Sequence, residues 1–155
     1  MHPRKLIPVV TLLLLSCSGL NALTPAMLEE AEQRWNTAKP ASYSLKVAMQ
    51  GDRVERGEFE VTVKDNVVTR LKRNGTEVKS AAAGQDYSID GLFKIVHEEL
   101  DLAKNPSIWG APEGYSAYLM ASFDRDTGAL QHYRRSVGGI SNSIDIEVLE
   151  FRRSN

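Results

Sequence analysis

Cysteine is almost absent: the 155-residue chain has one, Cys17. A lone thiol excludes an internal disulfide framework and any zinc site built on thiolate pairs. Histidine is scarce as well. Beyond the N-terminal segment only His97 and His132 occur, which is no usual zinc spacing. Positive charge is not in excess either. The net charge is −1, and setting aside the leader with Arg4 and Lys5 makes it more negative, so the basic footprint of a nucleic-acid binder is missing. Among apolar runs, Leu6–Leu15 is too short to span a bilayer as a helix. Ser136–Ser143 has two glycines and several hydroxyls, yet it matches neither a phosphate loop nor a nucleophile elbow, and no helix follows it. What is there is 42% hydrophobic residues, enough for the core of one domain.

Residues 1–16 read as an export signal, with Arg4 and Lys5 ahead of the apolar run. At its end Leu14-Leu15-Ser16-Cys17 resembles the lipobox of bacterial lipoproteins, whose cysteine becomes the acylated first residue. In an exported chain a leftover thiol is reactive, paired between chains or consumed by modification, and the position of Cys17 favours the last. The resemblance implies a lipidated tether over residues 17–23 and a single domain over 24–155. Ser18 after the cysteine, rather than an aspartate, implies the outer membrane, facing the periplasm. The alternative is ordinary cleavage after Gly19 or Ala22, which leaves a soluble secreted or periplasmic protein.

The helical signal is strongest at Ser88–Leu102, where Ile89, Leu92, Phe93, Val96 and Leu100 form one stripe. Asp90, Lys94, His97, Glu98 and Asp101 face away, and His97 with Glu98 and Glu99 reads as a solvated face. Thr24-Pro25 opens an earlier helix bearing Leu28, Ala31, Trp35 and Ala38, and Lys39-Pro40 ends it. Between the helices, Tyr43–Met49 and Phe59–Val63 alternate as strands, and Asp65-Asn66 turns the chain into Val67–Arg73. Asn74-Gly75 turns it again toward a short edge strand at Glu77–Lys79, and Ala81–Gly84 is a linker. After the second helix, Asn105–Gly114 reads as a lid that tucks Ile108 and Trp109 inward. Three strands follow: Tyr115–Phe123, Leu130–Ser136 and Ser143–Phe151. Pairing Ser136 with Ser143 sets Arg134 opposite Asp145, His132 opposite Glu147 and Tyr133 beside Ile146. The fold expected is α+β: an antiparallel sheet of about six strands in α-βββ-α-βββ order, with two helices on one face.

Chemistry is sparse. His132 with Glu147 lacks a nucleophile to serve. Asp124-x-Asp126-x-Gly128 begins like a calcium loop, but its glycine comes early and Arg135 stands where a glutamate is required. Tyr115–Phe123 is apolar on both faces, which predicts a central strand. An outward patch of Leu119 and Phe123, with Leu130 and Leu149, then marks a partner surface. Trp109, Tyr115 and Tyr118 are the candidates for an apolar ligand pocket of roughly 300 Å³ or more.

Ser88-Ile-Asp-Gly-Leu-Phe resembles a bacterial family of secreted proteins and lipoproteins, the domain of unknown function 6174. The similarity extends to Tyr43-Ser44, Val61-x-Val63-x-Asp65-x-x-Val68 and Phe123-Asp124. That family often has a cysteine pair near the first hairpin, where Met49-Gln50-Gly51-Asp52 stands here, so the resemblance implies neither a staple nor a redox role. It implies no activity and no cofactor. The functional expectation is a non-enzymatic envelope lipoprotein, joined to the membrane by its lipid, that binds an envelope protein; the alternative is a small-ligand or lipid-binding module.

Overall fold

The computed structural model describes residues 19–52, 54–78 and 85–154. The export signal, Cys17, Ser18 and the linker Ala81–Gly84 lie outside the described residues. The fold is α+β with one antiparallel sheet. In chain order come β1 (Asn21–Ala22), α1 (Pro25–Ala38), β2 (Tyr43–Gly51), β3 (Gly57–Lys64), β4 (Val67–Arg73) and β5 (Thr76–Glu77). Then follow α2 (Ile89–Leu102), a 3₁₀ turn (Pro106–Trp109), β6 (Ala117–Phe123), β7 (Leu130–Val137) and β8 (Ser143–Arg153). Among the described residues the sheet has eight strands, not about six, because β1 and β5 add two residues each at its two edges. Its order is β1-β6-β7-β8-β2-β3-β4-β5, so the two halves of the chain join in the middle through β8 and β2.

Local chemistry accounts for the elements. Thr24 Oγ1 accepts the Met27 N–H at 3.2 Å, and Ser88 Oγ accepts the Gly91 N–H at 3.1 Å, each satisfying a donor at a helix start. Asp65-Asn66 and Asn74-Gly75 both take positive φ at their two central residues, as a turn matched to the twist of a hairpin requires. Alternation then fills the core. Tyr43, Leu45, Val47 and Met49 of β2 and Phe59, Val61 and Val63 of β3 face α1 and α2, which contribute Leu28, Trp35, Leu92, Phe93 and Val96. The opposite face of the sheet is open and charged, with Lys46–Glu58 and Arg134–Asp145 ion pairs across neighbouring strands.

Four sequence expectations are corrected. β6 is not central: it lies next to the edge, flanked on that side by Asn21 and Ala22, which pair with Ala121 and Met120. Its two apolar faces have different fates, since Leu119 (9% exposed) and Phe123 point into the core with Leu130, while Tyr118 (61%) and Met120 face out. The patch of Leu119 and Phe123 is therefore core, and of its members only Leu149 is exposed. In the lid Trp109 is buried but Ile108 is exposed, because the 3₁₀ turn presents only one side to the sheet. Finally, the tether does not run to Leu23. From Asn21 the chain is already in the sheet, and the Leu23 N–H donates to the Leu119 carbonyl at 2.9 Å.

Candidate functional site

β7 and β8 run together from Ser136–Ser143 to His132–Glu147, in the register expected from the sequence, and there the ladder ends. Two bulges separate the strands beyond that point. On β7, Ser122 pairs with His132 but Phe123 with Leu130, leaving Gln131 as the extra residue. On β8, Val47 pairs with Val148 but Lys46 with Glu150, leaving Leu149 as the extra residue. A bulge bends its strand and increases the local twist, so two bulges facing one gap turn the strands apart. The end of β8 follows β2, pulled inward by an aromatic cluster in which the Phe151 ring lies 5.2 Å from Tyr43 and 6.0 Å from Trp35. The start of β7 is instead tied to α1 through Gly128, where a Cβ would collide with the Ala31 carbonyl.

The gap is a cleft of about 340 Å³. Leu130, Val148, Leu149 and Phe151 supply apolar walls, Ile89 at the start of α2 lies beneath, and Asp124, Asp126, Glu150 and Arg153 stand around it. Asp124 builds the turn at one side. Its Oδ1 accepts the Asp126 N–H at 3.1 Å, the Thr127 N–H at 2.7 Å and the Thr127 hydroxyl at 2.8 Å. Burial pushes this carboxyl up, but the bonds from Thr127 and Asp126 together hold it below its ordinary value. A depressed carboxyl contributes stability that is full above the ordinary value of 3.8 and is lost as pH falls through the lower, folded value. Acid unfolding followed by circular dichroism should therefore show wild type losing stability below that pH more steeply than Asp124→Asn. Equal slopes would remove Asp124 from the acid response.

Backbone groups matter here as much as side chains. The Ser154 N–H donates to the Ser42 carbonyl at 3.1 Å, which fixes the phase of the β2–β8 ladder. Bonded positions alternate, so Arg152 and Glu150 bond to β2, while Phe151 and Arg153 turn their N–H and C=O away from it, toward the cleft. Among the described residues no strand pairs with that edge.

Trp109, expected beside a ligand pocket, lies elsewhere. It covers a buried ion pair: Arg135, fully buried, donates from Nε to Glu99 at 2.6 Å and from Nη1 to Asn142 at 2.7 Å. The guanidinium carbon sits 4.2 Å from the Trp109 ring centre, and Asn142 Nδ2 donates to the Trp109 carbonyl at 3.2 Å. Burial first, and then the Glu99 charge, push the Tyr133 hydroxyl far above its ordinary range. Glu99, read from the sequence as solvated, is thus part of the core. Tyr115 and Tyr118 are exposed, and neither they nor Trp109 lines the cleft. His132 bonds Asp145 at 2.9 Å rather than Glu147, and Arg134 holds the other Asp145 oxygen at 2.6 Å. Among the described residues no three His, Cys, Asp or Glu groups gather as metal ligands.

A family model described as a family of unknown function, DUF6174, matches residues 27–116. That is more than half of the chain. The chain belongs to the DUF6174 family. The matched span runs from α1 to the residue before β6, so in this DUF6174 member the cleft has its floor at Ile89 inside the span and its walls on β7 and β8 beyond it. No curated protein and no solved structure gives a significant match.

Proposed function

We propose that this DUF6174 member is a non-enzymatic envelope lipoprotein, held by an acylated Cys17 at the outer membrane facing the periplasm, that works by binding another protein. The observation that supports it most is the distance along the chain between the anchor and the fold. Three residues separate Cys17 from Asn21, the first residue of β1. Fully extended, that tether holds the sheet edge within about 14 Å of the acylated residue. Cleavage after Ala22 would instead remove β1 and uncover the β6 edge it pairs with. Several acyl chains, at about 0.8 kcal/mol per buried methylene, retain a protein on a bilayer.

Growth with labelled palmitate should label the protein, and Cys17→Ala should remove the label and release the domain to the soluble fraction. Globomycin should accumulate the precursor. Unchanged processing under globomycin would overturn the membrane part of this reading. A second reading, a small-ligand or lipid-binding module, is favoured by the cleft, whose volume of about 340 Å³ is in the range of ligand sites. Native mass spectrometry of protein taken from its own membrane separates the two: a bound small molecule favours the second.

A further inference from the structure

We propose that the cleft between β7 and β8 receives an extended peptide segment of a partner protein, which adds as a strand to the outer edge of β8 at Val148–Arg153. The proposal deepens the protein-binding reading above and rests on it. Three features specify the occupant. Phe151 and Arg153 turn their backbone donors and acceptors away from β2 along a strand of fixed phase, in the direction from which an added strand bonds. Alternate residues of an added strand point to one face, and the apolar space between Leu130, Val148 and Phe151 offers one of them a socket. Around it stand three carboxylates, Asp124, Asp126 and Glu150, and two guanidiniums, Arg153 and the Arg152 that holds Glu150 at 2.9 Å, so the balance is acidic by one charge and a lysine or arginine beside the apolar residue fits better than an acidic one. The bulges at Gln131 and Leu149 hold the site open by preventing β7 from closing on β8.

The test uses the full lipidated chain in detergent micelles. The probes are synthetic octapeptides of alternating Val or Leu and Thr, with Lys or with Glu at both ends, and amide exchange is read residue by residue by NMR. The lysine peptide should bind and slow exchange at Phe151 and Arg153 at least about tenfold, while the glutamate peptide binds at least about tenfold more weakly. Arg153→Pro removes an outward donor and keeps the β2 ladder, so it should weaken binding at least about tenfold with the thermal midpoint nearly unchanged. A backbone N-methylated lysine peptide should lose affinity equally, which keeps the test decisive if Arg153→Pro does not fold.

Absence of binding at 1 mM peptide (about the weakest affinity worth assigning, −4 kcal/mol) overturns the proposal. So does protection confined to another edge, such as β4 or β6, although the protein-binding reading then survives. Palmitate occupying the cleft and excluding the peptide overturns it in favour of the lipid reading. If no peptide binds and photocrosslinkers at Val67, Tyr118 and Leu149 all leave the protein uncrosslinked in cells, this site and the protein-binding reading fall together.

Discussion

Glu99→Ala should lower the free energy of unfolding by about 3–5 kcal/mol, because it leaves the fully buried Arg135 without its carboxylate. The guanidinium keeps Asn142 and the Trp109 face, and neither carries a compensating charge. Removing one partner exposes the desolvation penalty of the other, a larger effect than the net worth of the pair. Chemical denaturation should show a lower midpoint for Glu99→Ala at unchanged slope. Glu98→Ala, one residue along and exposed, should stay within about 0.5 kcal/mol of wild type. Replacing both partners, Glu99→Leu with Arg135→Met, should recover most of the loss. A double variant as unstable as Glu99→Ala would show that packing around Glu99, not the uncompensated charge, carries the effect.

Trp35→Ala should be comparably severe, at about 3–5 kcal/mol, equivalent to roughly 10–20 °C in thermal midpoint for a domain of this size. Trp35 is fully buried and joins three parts of the fold. Its ring meets Tyr43 of β2 edge-on at 5.6 Å and Phe151 of β8 at 6.0 Å, and Nε1 donates to Asp90 of α2 at 3.3 Å. Truncation leaves a cavity under the place where β8 leaves β7, so the wall formed by Phe151 loses its backing. Trp35→Phe retains most of the ring contact, loses the bond to Asp90 and should fall about midway. A loss under 1 kcal/mol for the alanine variant, read by denaturation, would mean that α1 does not hold β2, β8 and α2 together through this ring.

The parts of the fold legible in the sequence are those in which period alone decides. The α2 stripe, the alternation of Tyr43–Met49 and the pairing of Arg134 with Asp145 follow from spacing and are present. What the pattern hides is order. A strand apolar on both faces reads as central, yet β6 has that character because Leu119 and Phe123 enter the core while Tyr118 and Met120 face solvent near an edge. Glu99 was concealed because it sits at the margin of the helical stripe, where one turn of packing decides its side. Arg135 did carry a signal: Tyr133, Arg135 and Val137 alternate on one face, so an inward arginine required an inward acid. The cleft had none, because the bulge at Leu149 exists only relative to β2, about a hundred residues earlier in the chain. The sequence pattern scatters its residues among other readings: Leu149 and Leu130 to a surface patch, Asp124 and Asp126 to a turn, and Ile89 to the helical stripe.

β8 is the last strand among the described residues and sits near the middle of the sheet, bonded to β7 on one side and β2 on the other. Until it emerges, β2–β5 and β6–β7 are two fragments with no seam between them, and the core they share cannot close. Such a topology delays completion of the domain until β8 has been made, since its most distant pairings must form last. A domain whose seam strand comes so late stays pliable until β8 has been made.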